Sequence, residues 1–194
     1  MSSVGESMQQ PDLPPRLRRF VDGMDALLAR GAAEADIVAH GGTLLRALLA
    51  HDDWLPDALA QPHPQFYRQY LLYLDPASRY SVASFVWGPG QRTPLHDHTV
   101  WGLVGILRGA EVAQPWRYHD SGALVVDGEP LLLRAGEVSA VSPTLGDIHE
   151  VRNAYDDRVS VGVHVYGADI GAVDRFVYAP DGSRKPFRSG YANR

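Results

Sequence analysis

The sequence predicts a mainly β fold, a small antiparallel barrel or jelly roll with helices packed at its start. Three observations predict it. Apolar residues recur at helical spacing before residue 51. From residue 79 onward, short runs of β-formers follow one another at close spacing, divided by Gly, Pro and Asp turns. No internal repeat or second compositional zone appears, and 194 residues suffice for one domain with a sizeable core. The expected organisation is a loose start at 1–15 and a single domain at 16–194. Within that domain lie a helical part (16–78), a barrel (79–178) and an irregular tail (179–194).

Residues 1–15 are rich in Ser, Gln and Pro and carry no periodic apolar pattern. Leu17, Phe20, Val21, Met24, Leu27 and Leu28 then mark one helical stripe that ends near Gly31. A second helix starts near Ala33 and carries Ile37, Val38, Leu44, Leu45, Leu48 and Leu49, with Gly41 and Gly42 as a break point. Residues 56–64 read as loop, and 64–74 as either a short helix or an extended segment. Tyr80 to Trp87 is a nearly continuous run of β-formers closed by Gly88, Pro89 and Gly90. Strands are expected at 102–107 and 111–118, and at 124–126 and 131–133 around the Asp127-Gly128 turn. Residues 159–166 alternate most cleanly. Val159, Val161, Val163 and Val165 take one face, and Ser160, Gly162, His164 and Tyr166 the other, which places a His and a Tyr side by side in a lined interior.

Composition narrows the function. The net charge is −5 and the 18 Lys and Arg residues form no long tract, so a nucleic acid partner is not expected. Arg16, Arg18 and Arg19 read as the wet side of the first helix. With no cysteine, disulfides, thiolate metal ligands, iron–sulfur clusters and a Cys nucleophile are all excluded. No apolar run approaches the roughly 18 residues of a membrane span, and 1–15 lacks the apolar core of a secretion signal, so we expect a cytoplasmic protein with no membrane partner.

The chemistry concentrates in two stretches. On an expected strand, His96 and His98 point the same way with bases about 6.5 Å apart, close enough for both imidazoles to reach one metal at bonds of about 2 Å. A third histidine, His149, lies in the second stretch, 136–153, and two separated His-bearing segments are what a small barrel needs to build a site in its mouth. Histidine-only ligation leaves Zn, Cu, Fe and Ni all open. Glu150, beside His149, is the candidate for a carboxylate base, and strand alternation points it away; Asp97 and Thr99 also face away. His119, in a polar loop, reads as a solvent residue.

The pattern Gly90, His96, His98, Gly102, Gly109 resembles the first cupin motif, with Gly102 where the usual glutamate ligand stands. Gly136, Pro143, Gly146, His149, Asn153 resembles the second, with one extra residue on each side of the proline. A cupin with three histidines and no glutamate resembles the thiol dioxygenases, the family of cysteine dioxygenase and 3-mercaptopropionate dioxygenase, over roughly residues 64–178.

That resemblance implies a cupin fold, Fe(II) held by His96, His98 and His149, and a small thiol and O2 as reactants. His164 and Tyr166 match the end of the family's Ser-His-Tyr trio, in which the Tyr lies over the iron and the His holds it. The serine position is Gly162 here, which cuts the relay short unless Ser160 or water substitutes. The position of the Cys that cross-links to the Tyr in animal enzymes is Gly102, so no cross-link can form. Tyr67 and Gln69 match a pair whose second member, Arg in those enzymes, grips the substrate carboxylate; with Gln69 there, the chain looks like the 3-mercaptopropionate dioxygenase branch, and Arg175 becomes the expected carboxylate anchor. The implied reaction turns a small carboxylated thiol, 3-mercaptopropionate first and L-cysteine second, into its sulfinate. The rival expectation is a non-catalytic cupin that contains metal and binds a small molecule.

Overall fold

The computed structural model describes residues 13–194. The expectation for the start of the chain therefore lies almost wholly outside the described residues. Helix α1 (Pro15–Ala29) begins with Pro15 in its first turn, where a missing N–H costs nothing, and buries Leu17, Phe20, Val21, Met24 and Leu27. The second helical stretch is α2 (Glu34–Asp36), a π-turn at Ile37–Gly41, and α3 (Gly42–Leu49), so the expected break at Gly41 and Gly42 is the place where the helix resumes a regular pitch.

Eleven strands follow among the described residues: β1 (Arg68–Leu74), β2 (Ser81–Trp87), β3 (Gly102–Arg108), β4 (Ala110–Tyr118), β5 (Leu124–Val126), β6 (Leu131–Arg134), β7 (Val138–Val141), β8 (His149–Asn153), β9 (Ser160–Tyr166), β10 (Arg175–Tyr178) and β11 (Arg184–Phe187). One antiparallel sheet has the order β1-β2-β9-β3-β7. Opposite it, β4 pairs with β5, β6 and β8, and β10 pairs with β11. The fold is thus mainly β, antiparallel, with helices on the N-terminal side, as expected.

The helices cover the outer face of the five-stranded sheet, where Val82, Val86, Leu103, Leu107, Val161, Val163 and Val165 join the helical stripes in one core. Close packing there needs a bare backbone at Gly105, where a Cβ would come within 2.5 Å of Leu49. The inner face carries Ala83, Phe85, Trp87 and Tyr166 in a second cluster. A sheet covered on both sides has no polar face to show, which is why β2 and β9 are buried at every residue.

Three expectations need correction. Residues 68–74 belong to the edge of the main sheet, so the helical part does not run to 78; the open choice over 64–74 resolves as β1, paired to β2. The tail is not irregular throughout: Gly182 turns it back so that β11 pairs with β10, and Ala192 donates to the Gln69 carbonyl. His96 and His98 do not lie in a regular strand. They sit in an extended connection between β2 and β3, held by single bridges from Arg92 to Arg152 and from His96 to His149 and Val177. Pro94 has no N–H to give to a ladder, which limits pairing there to isolated bridges. Among the described residues, no helix is long and apolar enough to cross a membrane.

Candidate metal centre

Three backbone supports bring the histidines together. His96 and His149 exchange both main-chain hydrogen bonds at 3.0 Å, which fixes β8 against the connection. Two residues on, His98 points the same way as His96, and its N–H donates to Asp147 at 3.0 Å. Asp97, facing away, accepts from the Phe176 N–H and the Tyr178 hydroxyl, and so ties the connection to β10. These contacts give Asp97 a structural role.

The three buried side chains each present one nitrogen, all within 4.8 Å of one another. His96 Nδ1 lies 3.0 Å from the Pro94 carbonyl and His98 Nδ1 2.9 Å from Asp147, so both rings carry their proton on Nδ1 and turn a bare Nε2 inward. His149 Nε2 is buried with no hydrogen-bond partner. Desolvation, then mutual repulsion and the charge of Arg175, pushes the His96 pKa well below the ordinary imidazole value, and His149 likewise. For His98 desolvation again prevails, against the opposing pull of Asp147. Burial alone would raise Asp147, but its bonds from His98 and Thr99 outweigh that and hold it ionised. Three neutral imidazoles, two of them oriented from behind and one with an orphaned ring nitrogen, fit a metal ion as ligands.

The chamber around them is small, about 40 Å³, which at roughly 10–15 Å³ per water leaves room for only a small molecule. Leu131, Leu133, Val104, Val141 and Val151 make its apolar wall. Tyr166 is buried with its ring stacked on His98 at 5.1 Å, and its hydroxyl lies 3.0 Å from His164 Nδ1. Burial raises the phenol pKa far above its usual value, so the hydroxyl is protonated. His164 is clamped flat against Phe85 at 4.0 Å. Gly102 lies directly under Tyr166: a Cβ would come within 2.7 Å of the ring, so neither the glutamate ligand nor a cysteine could stand there without displacing it.

Arg175 opens β10 and is only 3% exposed. The neighbouring Asp174 pairs with Arg188 and not with Arg175. Instead Arg175 donates through Nη2 to Ser189 at 2.6 Å and stacks on Phe187, while its Nε is buried without a partner. A buried cation with no carboxylate opposite it among the described residues calls for an anion. Tyr67 lines the chamber, stacked on Trp87 at 4.6 Å. Gln69 does not reach the chamber. Its amide donates to Ser189 and Gly190 in the wall of an adjoining cavity of about 560 Å³, which also touches Tyr67 and His96.

Two residues escaped the sequence reading. Asp147 precedes His149 by two in a loop and could have been flagged as a carboxylate behind a ligand. Glu111, at the start of β4, is 1% exposed, lines the chamber and accepts from Trp87 Nε1 at 2.7 Å. Ser160, the expected stand-in for the missing serine, is engaged elsewhere, with Asn153 and the Ala110 N–H. Glu150 faces away from the chamber toward Arg92.

Solved structures resemble this chain at low identity. A Klebsiella pneumoniae subsp. pneumoniae MGH 78578 conserved protein with a double-stranded β-helix domain is 14% identical, with 70% of this chain and 97% of that chain covered and a TM-score of 0.47. A cupin superfamily protein from Desulfitobacterium hafniense DCB-2 is 16% identical over 61% of this chain and 94% of its own, with a TM-score of 0.46. A cupin-like protein from Thermotoga maritima MSB8 is 18% identical over 72% and 90%, with a TM-score of 0.46. The profile of cysteine dioxygenase type I matches residues 65–178, which hold both histidine stretches, β9 and Arg175 and make up more than half of the sequence. On that match, the chain belongs to the cysteine dioxygenase type I family.

Proposed function

We propose that this protein is a non-haem Fe(II) thiol dioxygenase that converts a small carboxylated thiol and O2 into the sulfinic acid, 3-mercaptopropionate first and L-cysteine second. The observation that carries the reading is the placement of three inward imidazoles and one unpaired buried arginine around the same small chamber.

His96, His98 and His149 would hold the iron. A ferrous ion there would have no carboxylate ligand to offset its double positive charge, and would supply the acidity that favours a thiolate and the redox chemistry with O2. The chain's own groups do the rest. Arg175 takes the substrate carboxylate on its free Nε edge and so fixes the distance from carboxylate to sulfur, while Ser189 and Phe187 keep the guanidinium from turning away. Tyr166 offers a protonated hydroxyl over His98, and His164 aims that hydroxyl. The apolar wall keeps bulk water from the reacting atoms. Both atoms of O2 end on sulfur, so the net change from thiol to sulfinic acid needs no external reductant. Gln69 lines the adjoining cavity and not the chamber, which supports placing 3-mercaptopropionate ahead of L-cysteine.

The test is oxygen uptake by protein loaded anaerobically with Fe(II) and given 3-mercaptopropionate, L-cysteine or mercaptosuccinate, with the sulfinate identified by mass spectrometry. The expected result is one O2 consumed per sulfinate, fastest with 3-mercaptopropionate, and loss of both iron and turnover in His149→Ala. Full iron loading with no thiol oxidised would overturn the reading in favour of a non-catalytic, metal-containing cupin.

A further inference from the structure

The departure at Gly162 has a counterpart elsewhere in the chain. Glu111 Oε2 and His164 Nε2 are both buried, both lack a hydrogen-bond partner, and face each other at 3.6 Å. A Cβ placed on Gly162 would lie 2.5 Å from Glu111 Oε1 and 2.6 Å from His164 Nε2. Gly162 has ordinary strand geometry, so glycine is there for space and not for conformational freedom. The space it leaves is filled by the Glu111 carboxylate, which arrives from the opposite sheet. The glutamate is in turn anchored from behind by Trp87 Nε1 at 2.7 Å.

We infer that Glu111 is a positioning residue for the Tyr166 hydroxyl, acting through His164. The glutamate stands where the family's trio has its serine. The Glu111 carboxylate faces Nε2 and can only accept, so the ring proton sits on Nε2 and leaves Nδ1 bare to accept from the Tyr166 hydroxyl. A carboxylate is the strongest acceptor for that N–H, and closing the gap from 3.6 Å to the roughly 2.9–3.0 Å of an N–H···O bond satisfies both orphaned atoms at once. The chain Trp87, Glu111, His164, Tyr166 then holds one tautomer and one hydroxyl direction at the edge of the metal site. This role rests on the thiol dioxygenase reading only for its catalytic consequence; the tautomer is a property of the protein itself.

The test combines ring-15N histidine NMR on the metal-free protein with kinetics on the iron-loaded enzyme. His164, assigned by its loss in His164→Gln, is expected to carry its proton on Nε2 in the wild type and to lose that preference in Glu111→Leu. In the loaded enzyme Glu111→Leu should lower kcat by roughly 10- to 100-fold, the range for residues that orient groups at a metal site, with KM for the thiol and iron content unchanged. Glu111→Gln, which keeps an acceptor oxygen, should lose less. A merely structural glutamate, present to satisfy the Trp87 indole, predicts that Trp87→Phe/Glu111→Leu recovers to the rate of Trp87→Phe; the positioning role predicts that the double variant stays as slow as Glu111→Leu. Recovery in that double variant, or a proton on Nδ1 in the wild type, overturns the inference. Should the wild type oxidise no thiol, the reaction assignment fails while the NMR arm still decides the part played by Glu111.

Discussion

At the residue scale, Arg175 is the side chain whose surroundings say most. It is buried, stacked on Phe187, hydrogen-bonded through Nη2 and without a partner at Nε. Replacing Arg175 with Ala removes a charged hydrogen-bonded pair worth about 1.5–3 kcal/mol, so KM for carboxylated thiols should rise 10-fold or more, while iron binding persists. Steady-state kinetics check it, and an unchanged KM would take Arg175 out of the site. In the sequence, spacing put His96 with His98 and alternation put His164 with Tyr166, while the motif resemblance joined His149 to them. Glu111 was not legible in that way. Its partner His164 comes from a strand that follows 50 residues later, and only the two-sheet arrangement brings them together.

Among the elements, the tail departs furthest from expectation. Its Pro and Gly content reads as irregular, yet β11 pairs with β10, and Ser189 joins Gln69 to Arg175 by accepting a hydrogen bond from each. Propensity cannot show this, because the pairing is won by main-chain bonds and by the guanidinium stacked on Phe187. Ser189→Ala deletes one neutral acceptor from a charged donor, a loss of about 1 kcal/mol, and should raise KM several-fold without affecting kcat. A kcat change with constant KM would contradict a role confined to holding Arg175. Strand β9, by contrast, was readable in full, since its strict alternation leaves one register compatible with two buried faces.

For the whole molecule, the metal site shapes the dependence of stability on pH. Burial lowers the pKa of His96, His98 and His149, so the folded metal-free protein keeps them neutral. The unfolded chain takes up protons near the ordinary value of about 6.5. Below that pH the unfolded state binds more protons than the folded one, and stability falls as pH falls, by up to about 1.4 kcal/mol per pH unit for each histidine until its folded pKa is reached. Denaturant unfolding of the metal-free protein should therefore show a plateau above about pH 7 and a steep decline below about 6.5; a flat profile down to pH 5 would count against three neutral imidazoles. Saturation with Fe(II) at about 100 times its dissociation constant should add roughly 2.7 kcal/mol on the plateau.

Strand β9 divides the molecule into two compartments, with Val161, Val163 and Val165 in the apolar core and Gly162, His164 and Tyr166 in the chamber. Mutational damage from Val161 to Tyr166 should alternate in kind. Trimming an odd-numbered valine would leave an enzyme that melts early but, while folded, works at full rate. Changing His164 to Gln would leave one that melts near the wild-type temperature and works poorly. A single strand thus lets durability and catalysis be inherited separately, one residue apart.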